Sequence, residues 1–168
     1  VGLIGLGPIG RAVATRLKGY GCQVIASNRT MRSLEGVEFV DRETLLSTAD
    51  IVSLHTALTP QTLRMIGQKE LALMKDGAML INTARGALVD EAALVAEIKS
   101  GRLRAGLDVY TEEPLPLTSE LRELPGCVLL PHVGSATERT RRAMFELALA
   151  NLFAGLQGYD LPARLGAT

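Results

Sequence analysis

Residues 1–17 read "VGLIGLGPIGRAVATRL", in which Gly5, Gly7 and Gly10 fit the pattern G-x-G-x-x-G. The apolar run Val1 to Leu6 precedes the glycines, and Ile9, Val13 and Leu17 recur after them at helical spacing. The stretch therefore reads as strand, tight turn and helix. Glycines are common in turns, so the pattern alone is weak. Placed between a strand and a helix it becomes specific for a bound dinucleotide. Gly5 permits the turn, Gly7 lets the backbone approach a pyrophosphate, and Gly10 allows the helix to pack closely on the strand. The backbone at Pro8 and Ile9 opens the helix, whose N-terminus offers N–H groups and partial positive charge to phosphates.

Working outward, short apolar runs alternate with helical patterns along the whole chain. Strands are expected at 1–6, 22–27, 37–40, 50–55, 78–83, 105–109 and 127–131. Most are continuously apolar rather than alternating, as strands covered on both faces should be. Between them, "DEAALVAEIKSG" opens on Asp90 as a helix N-cap and stops at Gly101. "ATERTRRAMFELALANLFAGL" is the longest helical pattern and runs to about Gly155. This order predicts an α/β fold, a Rossmann-type doubly wound parallel sheet with helices on both faces. Residues 1–158 form the nucleotide-binding domain in this reading, with 159–168 as a C-terminal tail.

Bulk composition narrows the function classes. The 168 residues carry 18 basic and 18 acidic side chains and 47% hydrophobic residues. A net charge of zero argues against a nucleic-acid partner, and Arg139, Arg141 and Arg142 read as a solvated helix face. Cys22 and Cys127 lie too far apart for metal-ligand spacing, so no metal is expected. No apolar run reaches the roughly twenty residues that cross a bilayer, so no membrane partner is expected either. A reducing, cytoplasmic setting is the expectation.

The end of the second strand bears on which nicotinamide cofactor fits. A carboxylate there would bond the ribose hydroxyls of NAD(H). The sequence instead reads "SNRTMR", Ser27 to Arg32. Arg29 can fork onto a 2′-phosphate, with Arg32 as a second cation and the Thr30 hydroxyl as a donor. NADP(H) is therefore the preferred cofactor, with NAD(H) remaining possible.

Ligands of open α/β sheets bind outside the carboxyl ends of the strands. The polar residues there are His55 and Thr56, Thr83 to Arg85, Asp108 and His132. His55 either lines the site or caps its strand. Arg85, followed at once by a glycine, is well placed to grip a carboxylate. Asp108 is open between a turn or cap residue and a site residue.

Together, "GLGPIG", "INTARGALVDEAALVAEIKSGRLRAGLDVYTEEPLP" and "LLPHVGSAT" resemble the cofactor domain of the D-isomer-specific 2-hydroxyacid dehydrogenases. The resemblance runs from Val1 to about Gly158. "NRTMR", "EPLP" and "PHVGSATERTR" are most similar to the NADPH-using glyoxylate and hydroxypyruvate reductases. It implies that Arg85 grips the substrate, that His132 is the acid/base residue, and that Glu113 rather than Glu112 is its acidic partner. It further implies that Asp108 helps hold the nicotinamide end. Gly7, Pro8, Ile9, the cluster Arg29 to Arg32, Ala57, Thr83 and Gly134 surround the cofactor, and Ser135 joins Arg85 and His132 at the substrate.

The implied reaction is hydride transfer to the keto carbon of a small 2-keto acid, giving the D-2-hydroxy acid. Negative charge develops on the carbonyl oxygen, so a proton donor must stand there, and histidine suits that task near neutral pH. A carboxylate on its far ring nitrogen fixes the tautomer. Members of the family are about twice this length, so the resemblance also implies a substrate domain that precedes Val1 and is not in this chain. A homodimer through the cofactor domain is expected. Two rivals stand beside this reading. β-Hydroxyacid dehydrogenases share the glycine fingerprint but rely on a lysine and a helical second domain. A non-catalytic NAD(P)H-sensing scaffold of the corepressor kind could keep Arg85, Glu113 and His132.

Overall fold

The computed structural model describes residues 1–30 and 34–164, and the chain divides into two compact units, Val1–Pro131 and His132–Thr168. The first unit is built on seven strands. These are β1 (Gly2–Ile4), β2 (Ile25–Ser27), β3 (Glu38–Phe39), β4 (Ile51–Leu54), β5 (Met79–Asn82), β6 (Arg104–Leu107) and β7 (Cys127–Leu129). All are parallel, in the order β3-β2-β1-β4-β5-β6-β7. The seven expected strands are all present, each shorter than its apolar run.

The order reverses at β1. The chain first steps outward from β1 to β3, then returns past β1 to β4. Because parallel crossovers are right-handed, helices before and after the reversal fall on opposite faces. Helix α1 (Pro8–Gly19) covers one face, and α2 (Arg42–Thr48), α3 (Gln68–Leu73) and α4 (Glu91–Lys99) pack against the other. Two cores result, and adjacent residues of β1 belong to different ones. Leu3 packs with Ala14, Val24 and Ala26. Ile4 packs with Leu45, Val52, Leu54 and Leu80. That alternation is the period of two expected of a strand buried on both sides.

Helix α4 begins as its sequence suggests. The Asp90 carboxylate accepts from the Ala93 N–H at 3.2 Å, and the helix stops before Gly101 at φ +77°. Helices α2 and α3 have no counterpart in the sequence reading, being only seven and six residues long. Such short helices depend on their neighbours. Asp41 caps α2 through the Thr44 N–H at 2.8 Å. Arg102 closes the end of α3, donating to the carbonyls of Leu71 and Met74 at 2.6 and 2.7 Å while Glu97 holds its Nε at 2.6 Å.

The second unit carries α5 (Glu138–Leu156), capped by the Thr137 hydroxyl, which accepts from the Thr140 N–H. None of its residues is buried, and Arg139, Arg141 and Arg142 are exposed on it. No helix among the described residues is long and apolar enough to cross a membrane.

The exit of β4 forms a floor beneath the glycine turn. His55 N–H donates to the Ile4 carbonyl at 2.8 Å, and the Thr56 hydroxyl donates to the same oxygen at 3.1 Å. A Cβ on Gly5 would lie 2.6 Å from the His55 carbonyl, and Gly5 has φ +97°. A Cβ on Gly10 would lie 2.2 Å from the Gly5 carbonyl oxygen. Gly10→Ala must therefore push α1 off β1, and we expect a loss of about 2 kcal/mol, the scale of an overpacked core. Denaturant unfolding of the variant checks this, and an unchanged midpoint would contradict it.

The sequence has His55 either lining the site or capping its strand, with no partner indicated. The structure supplies one, since the Ser53 hydroxyl lies 3.0 Å from its Nε2 two residues back on the same strand face. Burial pushes the imidazole pKa below its ordinary 6.5. The folded state thus prefers neutral His55. Its contribution to stability is complete above pH 6.5 and is lost as pH falls from there through the depressed native value. We expect His55→Gln to show a shallower fall in Tm than the parent as pH drops through about 6.5, the unfolded-state value. Parallel Tm curves for the two proteins would sink this assignment.

Candidate functional site at the carboxyl edge of the sheet

The glycine turn and the loop after β2 are wired together. Gly5 N–H donates to the Ser27 carbonyl at 2.9 Å, and Leu6 N–H donates to the Asn28 side-chain oxygen at 3.3 Å. The Asn28 amide then donates to the Thr30 carbonyl at 2.7 Å. One asparagine therefore sets the spacing between the two loops. Arg29 and Thr30 beside it are exposed, and Arg32 lies outside the described residues.

A Cβ on Gly7 would meet nothing within 4 Å. Gly7 also serves as N-cap of α1 without any side-chain capping bond, and Pro8 stands at the first helical position. The backbone here is bare on its outer side and backed by the His55–Thr56 floor. An anionic diphosphate can approach such a turn without meeting a side chain. These residues fit a dinucleotide.

Ala57 and Thr83 are both exposed at strand exits. Ala57 leads a tight loop in which the Thr62 hydroxyl donates to the Ala57 carbonyl at 2.7 Å. At the end of β5, Asn82 is 1% exposed and shapes the turn that leads to Arg85. Its amide donates to the Arg85 carbonyl at 2.9 Å, and its side-chain oxygen accepts from the Ala84 N–H at 3.1 Å. The turn holds the Arg85 backbone while the guanidinium stays exposed, with Nη1 on the Ala84 carbonyl at 2.6 Å. Gly86 has a packing reason to be glycine, because a Cβ there would fall 2.0 Å from the Tyr110 carbonyl oxygen.

Asp108 is 3% exposed at the end of β6, and its N–H donates to the Asn82 carbonyl at 3.0 Å. Two residues on, the Tyr110 N–H donates to Glu113 Oε1 at 3.0 Å. Glu113 is thereby anchored beneath its own loop. Glu112 instead lines a groove with Arg64, Asp90 and Glu91. Arg85, Asp108 and Glu113 thus belong to neighbouring strand exits of the first unit, and Tyr110 links two of those exits. His132 heads the second unit with φ +54°, and Gly134 and Ser135 lie between it and the cap of α5.

Sequence reasoning did not assign Asn28, Asn82 or Tyr110 to the site. Asn28 and Asn82 bear a readable signal, a polar residue ending an apolar run. Tyr110 bears none, since its partners lie on other loops.

The family model described as "D-isomer specific 2-hydroxyacid dehydrogenase, NAD binding domain" matches residues 1–134. A glyoxylate reductase of Thermococcus litoralis is 48% identical over 98% of this chain and 51% of its own length. A glyoxylate/hydroxypyruvate reductase B of Erwinia tasmaniensis is 44% identical over 94% of this chain and 51% of its own. The chain thus spans about half the length of these curated relatives. Among solved structures, a D-isomer specific 2-hydroxyacid dehydrogenase of Xanthobacter autotrophicus Py2, in complex with NADPH and MES, superposes with a TM-score of 0.85. It is 34% identical and is matched over 99% of this chain and 70% of that one. With its glycine turn, its seven-stranded parallel sheet and these likenesses in agreement, the chain belongs to the D-isomer specific 2-hydroxyacid dehydrogenases, as their NAD binding domain.

Proposed function

We propose that this chain is the cofactor half of an NADPH-dependent reductase that converts a small 2-keto acid of the glyoxylate or hydroxypyruvate class into the D-2-hydroxy acid. Residues 1–158 serve as the cofactor domain and 159–168 as a tail, and the other half of the relatives' length supplies the substrate domain. The enzyme in this reading is cytoplasmic and homodimeric. The names of the relatives support the substrate class. The observation that carries the reading is the pair of anchored exits after β5 and β6, with Arg85 held by Asn82 and Glu113 held by the Tyr110 backbone.

Bound NADPH supplies the hydride that reduces the keto carbon. The chain's own residues do the rest. Arg85 clamps the substrate carboxylate through its two-pronged guanidinium and turns the carbonyl toward the proton donor. A ring N–H of His132 donates to the carbonyl oxygen as charge develops there, and Glu113 fixes the tautomer that can do so. Ser135 adds a contact to the substrate. Asp108, 3% exposed at the end of β6, would hold the nicotinamide end. Gly5, Gly7, Pro8, Ile9, Gly10, Ala57, Thr83 and Gly134 contribute backbone or small side chains to the cofactor's bed.

The preference for NADPH rests on Arg29 and Thr30, with Arg32 as a second cation. No carboxylate stands among residues 25–32 to repel a 2′-phosphate. In a fluorescence titration of the chain with each reduced cofactor at matched salt, NADPH should bind more tightly than NADH. Arg29→Ala should weaken NADPH about tenfold, the size of one exposed charged hydrogen bond, and leave NADH unchanged. Equal binding of both cofactors to the parent would remove the argument.

Turnover tests the rest. With glyoxylate or hydroxypyruvate and NADPH, His132→Gln in the full-length protein should lower kcat by about 10³, the range of a lost general acid. Arg85→Gln should act mainly on KM for the keto acid. Parent protein that binds NADPH yet turns over neither substrate would favour the sensing scaffold instead.

A further inference from the structure

Asn82 ends β5 with 1% of the residue exposed, whereas most strands of this sheet end on an apolar residue. Leucine or isoleucine would serve the core there, and a buried amide costs free energy unless its donors and acceptors are met. Both ends of this amide are used, and both on the next three residues. Its Oδ1 accepts from the Ala84 N–H at 3.1 Å, and its Nδ2 donates to the Arg85 carbonyl at 2.9 Å. The same carbonyl accepts from the Leu88 N–H at 3.2 Å, which starts the short turn Gly86–Leu88. The Ala84 carbonyl takes Arg85 Nη1 at 2.6 Å. The main chain is therefore held on both sides of the Arg85 side chain.

The backbone of Asn82 reaches the other way. Its carbonyl accepts from the Asp108 N–H at 3.0 Å, one step past the Asn82–Leu107 pair of the ladder. Gly86, on the far side of Arg85, is seated against the Tyr110 carbonyl, where a Cβ would fall 2.0 Å from the oxygen. The loop that carries Arg85 is thus tied to the exit of β6 at two points, before and after the arginine, and all of these residues belong to the first unit. In a 2-keto acid the carboxylate is bonded directly to the reacting carbon. A grip on the carboxylate must therefore keep one spacing from the nicotinamide end, with little slack. The guanidinium tip is exposed, so the part of Arg85 that the fold fixes is its main chain.

We propose that Asn82 is a positioning residue for the substrate, its side-chain amide holding the Arg85 main chain, and with it the root of the guanidinium, in a set place relative to the exit of β6. The inference rests on the reading of Arg85 as the grip on the keto acid's carboxylate. Buried as it is, Asn82 touches neither substrate nor cofactor. It acts through Arg85, so its loss should register in the binding of the keto acid, and only while the guanidinium is present.

The test is Asn82→Thr and Asn82→Ala in the full-length protein, each made alone and together with Arg85→Gln, and assayed with hydroxypyruvate and NADPH. A threonine hydroxyl can accept from the Ala84 N–H as the amide oxygen does, but it offers no second arm to the Arg85 carbonyl. Alanine loses both bonds. We expect KM for hydroxypyruvate to rise about tenfold in Asn82→Ala, the scale of one lost hydrogen bond to a charged group, and by less in Asn82→Thr. NADPH affinity and kcat should stay close to those of the parent, as they do when binding alone is lost. With Arg85→Gln already present, Asn82→Ala should raise KM no further, because two residues that act through one group are not additive. A purely structural asparagine would lower Tm and leave KM unchanged, or raise KM by the same factor in both backgrounds. Either result overturns the role of Asn82, and a raised KM in Arg85→Gln alone then spares the assignment of Arg85. If Arg85→Gln leaves KM at the parent value, both fall together. If Asn82→Ala does not fold, the threonine variant decides; if neither folds, the amide is a stability element and the proposal is overturned as well.

Discussion

One row of the parallel ladder places everything that matters in this domain. Ser27, Ile4, Leu54, Asn82, Leu107 and Leu129 are paired side by side across six strands. Each is the last residue of its strand. The six strands therefore end on a common line, and the next few residues of each emerge at the same edge. Asn28 and Arg29 leave from Ser27, Gly5 from Ile4, His55 from Leu54, Arg85 from Asn82, Asp108 from Leu107, and Leu130 from Leu129. A slip of one residue in any pairing would exchange the two buried faces of that strand. Leu3 and Ile4 would then trade cores, so the hydrophobic pattern itself enforces the alignment of the site.

Alignment brings the exits to one edge but does not fix the loops beyond them. Three polar side chains do that, each bonding to main-chain atoms of a loop. Asn28 spans from the glycine turn to Thr30, Asn82 shapes the Arg85 turn, and Tyr110 secures Leu130. All are buried or half-buried, where an unmade hydrogen bond would be costly. Close backbone contacts finish the task. Gly10 against the Gly5 carbonyl and Gly86 against Tyr110 leave no room for a methyl group. Arg85 and Arg29 are thereby presented from rigid bases while their charged ends remain exposed.

The strand count and the winding of the sheet were legible in the sequence because strands buried on both faces announce themselves as unbroken apolar runs. Their ends were not, since residues such as Val1 and Leu6 are apolar for packing although they lie outside the ladder. Helix α4 was legible from Asp90 and Gly101, which cap it as their chemistry suggests. Helices α2 and α3 escaped notice because they are too short to show a period and are held by Asp41 and Arg102 from outside. At the site, charged and glycine residues could be read directly. Tyr110 could not, because its meaning lies in a carbonyl twenty residues away and in a neighbouring turn, and neither is encoded in local spacing.

The distribution of charge at this edge obeys the same division between rigid base and exposed tip. Beneath the glycine turn the floor holds no carboxylate, lysine or arginine; it is made of Ser53, Thr56 and His55, whose pKa burial lowers. A cation buried there would attract phosphate strongly, but its desolvation would weaken the sheet at its central strand. The fold instead meets the diphosphate with backbone dipoles, which cost nothing to bury once the ladder and α1 exist. Its one described cation at the end of β2, Arg29, stays in water on a loop that Asn28 steadies. Placed so, its charge does not destabilise the domain, and its influence weakens as salt screens it. Position is thus set by the backbone, while the charge stands on an exposed side chain. Because the two are separate, a substitution at Arg29 leaves the glycine turn with the shape that sterics impose on it.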